Sequence, residues 1–425
     1  MHSGNHESIS PAVKLGLLGS LYFSQGLPFG FFTQALPVML REEEYSLAQI
    51  GLASMLAMPW GLKFLWAPLV DRHSLSRLSR LGRRKSWIVP LQLGAVGVLV
   101  GLALVTRVQV SMPVLMAGVF VLNLIAATQD IATDGLALDL LATEERGVAN
   151  GLQVAGYRVG MIVGGGALLI LHDDLGTGGT FAAMAALMLL ATLPILRTRE
   201  PAPVLREHVP KAVAETRPHF LRRPENAAVL LVVVTFKLGE AFATSMLRPY
   251  LSDVGFTLED IGWLLGTVGF VAGLVGAVLA GALANRLGRK RSLVMFGLFQ
   301  ALTVGGYAYM AAVGPSRDAI YALCALEHLA GGMATVALFT CMMDWCSTEQ
   351  AASDYTAQAS AVVITTGTAT LLAGVSADQL GYTAHFALAA LLSLAAVAVV
   401  AGCFPERAAA DVQRGPLLPA MEVAQ

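Results

Sequence analysis

Long apolar blocks, separated by short polar ones, run the length of the chain. They fall near 13–40, 47–70, 86–106, 112–140, 147–171 and 179–196, and again near 227–251, 258–283, 292–313, 319–346, 354–378 and 384–404. A helix needs about 20 apolar residues to cross about 30 Å of hydrocarbon, so the pattern predicts twelve membrane-spanning helices, six and six. The connections are mostly five to ten residues, which makes consecutive helices antiparallel neighbours. The exception, RTREPAPVLREHVPKAVAETRPHFLRRPEN, reads as a linker with room for a short surface helix. The expected divisions are 1–196, the linker 197–226, a second half 227–404 and a polar tail 405–425. The first apolar block is too long for a signal peptide and lacks a cleavage-type ending, so it reads as the first span.

The two halves repeat each other. Asp139, Thr143, Glu144 and Gln153 match Asp344, Thr348, Glu349 and Gln358 at a constant offset of 205. SLAQIG at 46–51 matches TLEDIG at 257–262, and LGRRK at 81–85 matches LGRKR at 287–291. Six spans separate the copies, so both halves share one orientation, as in transporters built from parallel repeats.

Composition removes several function classes. The chain is 56% hydrophobic and 13% charged, with a mean hydropathy of +0.65, against roughly 25% charged in soluble domains. A net charge of −1 gives no electrostatic case for nucleic-acid binding. The four cysteines have no metal-ligand spacing and read as small apolar side chains. No G-x-x-x-x-G-K-[ST] string occurs, so ATP-driven transport by this chain alone is disfavoured. Placing the N-terminus on one side puts 21 Lys and Arg on that side and four on the other. By the positive-inside rule both termini and the linker are expected in the cytoplasm.

After the second span the chain reads APLVDRHSLSRLSRLGRRKS, and after the eighth GALANRLGRKRS. Both resemble the loop motif of the major facilitator superfamily, with Asn285 replacing the acid in the second copy. QGLPFG (25–30), LKFLWAPLVDR (62–72), QDIATD (129–134), EERGVANGLQVAGYRVGMIVGGG (144–166), FKLGEAF (236–242) and LEHLAGGMATVALF (326–339) extend the likeness over nearly the whole chain. Together they resemble the AmpG-related permeases, a branch with muropeptide permeases, acetyl-CoA transporters and short siderophore permeases. The implied fold is an all-α polytopic membrane protein, with 12 transmembrane helices in two pseudo-symmetric halves. Muropeptide permeases of this type carry extra C-terminal spans, whereas this chain ends after its twelfth. Its length and its QGLPFGFFTQALP opening are more similar to rhizobactin/pyochelin-type ferric-siderophore importers.

Charged side chains at mid-bilayer are costly and mark functional candidates. Lys63, Asp130, Asp134 and Arg158 share one depth in the first half, and Lys237, Glu240, Glu327 and His328 share one in the second. Asp130 and Asp134 are the first candidates for proton uptake, with Arg158 as substrate anchor or counter-ion. A static ion-pair network locking the helices accounts for the same residues. Lys237 and Glu240 can neutralise each other within one helix, and His328 can bond a carbonyl. Gly26 and Pro28 are expected to kink or unwind the first span. With Gln25, Trp60, Gln129, Gln153, Tyr157 and Gln358 they are candidate cavity residues. Gly160, Gly164, Gly165 and Gly166 fit close helix packing. Asp71, Arg72, Gly82, Arg83 and Arg84 fit a gating clamp between the halves, or simply the positive-inside signal.

The expected function is secondary, proton-coupled import of a small solute across the bacterial inner membrane by alternating access. A ferric siderophore is the first expectation; a muropeptide or an acetyl-CoA-type solute is the alternative. Lipid, solute and protons are the implied partners, with no cofactor, metal or nucleic acid and a monomeric functional unit. A non-transporting receptor or scaffold is the competing class. An intramembrane aspartyl enzyme is disfavoured, because two acids on one helix do not flank a substrate.

Overall fold

The computed structural model describes residues 10–37, 40, 54–75, 80–106, 112–168, 171–198, 200, 219–314, 316–347 and 350–405. These are almost entirely helical, with no strand among the described residues. The first helix, α1, is Pro11–Gly30 and runs on as a π-helical turn, Phe31–Ala35. α2 is broken into Met58–Leu62 and Ala67–Arg72 around the 3-10 turn Lys63–Leu65. Then come α3 (Lys85–Val105), α4 (Met112–Leu140), α5 (Arg146–Met161, continued by a π turn Ile162–Ala167) and α6 (His172–Arg197). The second half holds α7 (Pro224–Asp253), α8 (Gly262–Leu287), α9 (Arg289–Val313) and α10 (Arg317–Asp344). Ala351–Cys403 folds back at Gly381, where φ is +75°, giving α11 (351–380) and α12 (382–403).

Eight of these helices are long and apolar enough to cross a membrane as they stand. Division at Gly381 makes one of them two, and the interrupted α1, α2 and α5 complete the twelve expected spans. The interruptions have local causes. Pro28 lacks an N–H, and Phe31 N–H is shared between the carbonyls of Leu27 and Pro28, so the strain emerges as a wide turn. α1 is therefore not unwound at Gly26–Pro28; it stays helical there and widens one turn later. In α2, Pro59, Gly61 and Pro68 weaken the helix, and the break falls at Lys63. α7 also breaks at its mid-membrane lysine, Lys237.

Glycine lets backbones meet where the halves are tightest. A Cβ at Gly26 would collide with the Tyr157 carbonyl, and one at Gly160 with the Phe23 carbonyl, so α1 and α5 lie backbone against backbone. Gly164 and Gly165 continue that contact, whereas Gly166 faces open space. α5 meets α8 in the same way: a Cβ on Gly151 would lie 3.0 Å from the Ala277 carbonyl, and one on Gly281 3.0 Å from that of Gly147. Most of the linker, 201–218, and the tail from 406 lie outside the described residues, as do Thr348 and Glu349 of the repeat.

Candidate functional site

The break in α2 turns Lys63 inward, where its ammonium forms an ion pair with Asp130 of α4. Lys63 is 2% exposed. One helical turn further on, Asp134 is 1% exposed and accepts a 2.8 Å hydrogen bond from the Tyr22 hydroxyl of α1. Among the described residues no cation lies within 4.0 Å of Asp134. Beside the pair, Phe29, Trp60 and Tyr157 form an aromatic cluster. Its ring centroids are 5.5 Å (Phe29–Trp60), 5.6 Å (Phe29–Tyr157) and 6.5 Å (Trp60–Tyr157) apart. The Lys63 ammonium stands 5.3 Å from the Trp60 ring centre, and Trp60 Nε1 donates to Asn123 at 3.0 Å. Charge lies next to flat, half-buried apolar faces, a surface suited to a solute with both characters.

In the second half Lys237 pairs with Glu240 and donates to Thr335 Oγ1 at 3.0 Å. His328 Nδ1 lies 2.9 Å from Glu327 Oε2 and 3.0 Å from the Cys324 carbonyl oxygen. Arg158 leaves its own half. Its guanidinium lies against Gly273 of α8 and 5.5 Å from the Phe270 ring centre. The equal depth of Arg158 and the α4 acids is therefore not proximity: α5 turns Arg158 toward the other half, where it lies under the field of Glu327.

On the linker side of the bundle the two halves are clamped. Arg84, fully buried, holds Asp71 and Asp139, each at 2.9 Å, and Arg83 reaches Asp139 at 3.1 Å. The free oxygen of Asp71 accepts the Ser353 N–H at 2.9 Å, in the first turn of α11. Here a carboxylate meets the positive end of a helix in the opposite half. The repeat makes the mirror contact with a neutral side chain: Asn285 donates to the Glu144 carbonyl just before α5 and accepts from Arg289 at 3.0 Å. Arg289 and Arg146 both reach Asp344, at 2.5 and 2.7 Å. Arg72 is exposed. Gly82, with φ +108°, makes room for Glu200, whose carboxylate accepts the N–H groups of Arg84 and Lys85 at 3.1 and 2.9 Å and caps α3.

Removing the Asp71 carboxylate should loosen this clamp. A hydrogen bond to a charged group is worth about 1.5–3 kcal/mol, so Asp71→Ala is expected to raise the population open on the linker side about tenfold or more. Alkylation of Cys346, half-buried at the end of α10, reads that population; an unchanged rate would remove Asp71 from the clamp. Within the first half, Lys14 of α1 pairs with Glu145, just before α5, at 3.0 Å. The Ala142 N–H, and then Lys14, hold the Glu145 carboxyl below its ordinary range. A depressed carboxyl stabilises above its unfolded pKa, about 4.5, and that contribution is lost as pH falls through the folded value. Glu145→Gln should therefore lower the melting temperature slightly at pH 7 and flatten its decline toward pH 3.5.

Comparison with known proteins decides the family. The Major Facilitator Superfamily model matches residues 18–314 and 229–419. The anhydromuropeptide permease of Escherichia coli K12 is 31% identical over 350 residues, covering 80% of this chain and 70% of that protein. The chain belongs to the major facilitator superfamily. Within it the chain is an AmpG-related permease. A putative transporter, AmpG 4 of Rickettsia conorii, is 28% identical over 385 residues, 88% of this chain and 92% of that one. The transporter FucP, crystallised in its outward conformation, superposes with a TM-score of 0.70 at 16% identity, covering 93% of this chain and 99% of that one. That likeness is one of fold.

The superfamily is one of transporters, not enzymes, and the mid-membrane residues can be placed in that light. Gln129 and Gln92 both donate to Ser24, at 3.4 and 3.0 Å. Gln25 is 1% exposed, and neither of its amide atoms is hydrogen-bonded among the described residues. Gln153 and Gln358 occupy matching repeat positions, buried near the clamp, and Gln358 donates to the Met342 carbonyl at 3.1 Å. Gly26 and Pro28 are buried in α1, and Gly26 faces the α5 backbone rather than an opening. Phe29, Tyr22 and Glu200 are additions that sequence reading missed. Single aromatics in an apolar helix carry no periodic signal, and Glu200 acts from a linker read only as a tether.

Proposed function

We propose that the chain is a secondary transporter that carries an acidic glycopeptide of the anhydromuropeptide type across the bacterial inner membrane, driven by protons. The observation that carries this reading is the 31% identity with the E. coli anhydromuropeptide permease over 350 residues, a length that takes in both halves. The relatives favour this solute over the ferric siderophore first expected from chain length and opening motif. The site chemistry agrees with it. Sugar rings stack on aromatic faces such as Phe29, Trp60 and Tyr157, and peptide carboxylates need a cation.

With 21 of the basic residues on the linker side, that side is read as cytoplasmic. The clamped state then receives solute from the periplasmic side, and rocking of the halves delivers it inward. Lys63, Asp130 and Asp134 together hold one more acid than base. Such a group is near neutral inside a membrane only with a proton bound, which supports proton coupling at Asp134. The test is complementation of an E. coli strain lacking its own permease. Expression should stop the loss of anhydromuropeptides to the medium; continued loss with protein present in the membrane would refute the solute assignment. Restored growth on a ferric siderophore in an iron-import mutant would instead favour the siderophore.

A further inference from the structure

The contact between α5 and α8 is built of small residues, except at one end. From the linker side inward, Gly147 and Gly151 meet Gly281 and Ala277 backbone to backbone. Seven residues beyond Gly151 on the same helical stripe comes Arg158, against Gly273. A Cβ on Gly273 would collide with the Arg158 guanidinium, so the glycine leaves the space that the guanidinium fills. α8 cannot yield by sliding away. Gly276 and Gly332 fit it just as closely to α10, where a Cβ would strike the carbonyls of Leu329 and Gly273.

The charge at this point is unlike the others at the same depth. Lys63 has Asp130, and Lys237 has Glu240. Glu327, the acid whose charge acts on Arg158, already has His328 at 2.9 Å. Among the described residues Arg158 makes no ion pair and no hydrogen bond, and its guanidinium lies 5.5 Å from the centre of the Phe270 ring. Lys63 is closed off, whereas Arg158 is partly exposed where the two halves meet. A mid-membrane guanidinium without an ion pair or hydrogen bond is costly to keep, and its planar fork suits a carboxylate.

We infer that Arg158 is the anchor for a carboxylate on the transported solute, and that Gly273 is a positioning residue that holds the anchor across the interface. The inference rests on the glycopeptide reading for the identity of the solute, but not for the chemistry of the anchor. The solute would thus be held by an N-half side chain seated on the C-half, with the aromatic cluster engaging its sugar.

The test compares an anhydromuropeptide with its carboxyl-amidated form on purified full-length protein, by titration calorimetry. Wild type is expected to bind the acid at least tenfold more tightly than the amide. Arg158→Gln should abolish that ratio, chiefly by weakening binding of the acid, and Arg158→Lys, which keeps charge without the fork, should fall between. Gly273→Ala should lower the ratio with Arg158 still present, an effect that a purely structural glycine would not produce. A ratio unchanged in Arg158→Gln overturns the anchor. Binding of neither form by wild type refutes the glycopeptide reading, and the anchor is then judged alone. Phenylglyoxal labelling of Arg158, read by mass spectrometry, should be slowed several-fold by N-acetylated amino acids and not by their amides. Equal labelling with both, or melting curves showing that every Arg158 variant is unfolded while labelling is unprotected in wild type, counts against it.

Discussion

Replacing Gly160 by alanine should leave little folded protein in the membrane. The added methyl would collide with the Phe23 carbonyl of α1, and neither backbone can step aside, because Gly26 and Gly164 fit α1 to α5 just as closely on either side. Overpacking typically costs about 1–3 kcal/mol where side chains can adjust, and more where they cannot. With a backbone carbonyl as the obstacle, the loss should reach about 3 kcal/mol or above. Gly101→Ala in α3 is the control. Nothing lies within 4 Å of a Cβ built there, and an alanine in mid-helix gains about 0.5–1 kcal/mol over glycine. Fluorescence-detected gel filtration of detergent extracts should show Gly160→Ala aggregated or absent and Gly101→Ala at wild-type level or better. Equal yields would mean that α1 and α5 are not packed as described.

The second large effect concerns Lys63 and Asp130. Asp130→Leu strands the Lys63 ammonium at 2% exposure, and breaking a buried pair costs about 3–5 kcal/mol. The single variant should fold poorly. Replacing both, Lys63→Met with Asp130→Leu, removes the charges together, which is often neutral or stabilising by about 1–4 kcal/mol. The double variant is expected to recover the melting temperature of the wild type and to remain inactive in uptake. Recovery of both would mean that the pair is a structural lock and has no part in transport. This comparison separates the two readings that depth alone left open.

Much of the architecture was legible because a bilayer imposes one rule on every span. The hydrophobic blocks gave the helices, and the repeat gave their parallel arrangement. The clamp was legible for a related reason. Asp71, Arg83 and Arg84 stand close in sequence, and the offset from Asp139 to Asp344 linked them to the second copy. Depth counting also brought Lys63 to Asp130 correctly. It failed for Arg158, because rise per residue fixes a level and says nothing about which way a helix is turned. That direction is set by Gly147 and Gly151, which lie on the same stripe and face α8. Gly26 misled in the opposite way: two residues before Pro28 it reads as part of a kinked or unwound stretch, yet here its missing side chain serves close approach to Tyr157. Partners drawn from distant helices, such as Tyr22 for Asp134, leave no local trace.

Proton-driven movement of an acidic glycopeptide through this chain can be followed with purified protein in liposomes, supplied with radiolabelled anhydromuropeptide under an imposed pH gradient, acidic outside. The solute should accumulate above the equilibrium level, lose that accumulation on adding a protonophore and need no ATP, and Asp134→Asn should exchange labelled for unlabelled solute without accumulation. Accumulation that survives the protonophore, or no uptake by protein shown to be folded, would contradict it.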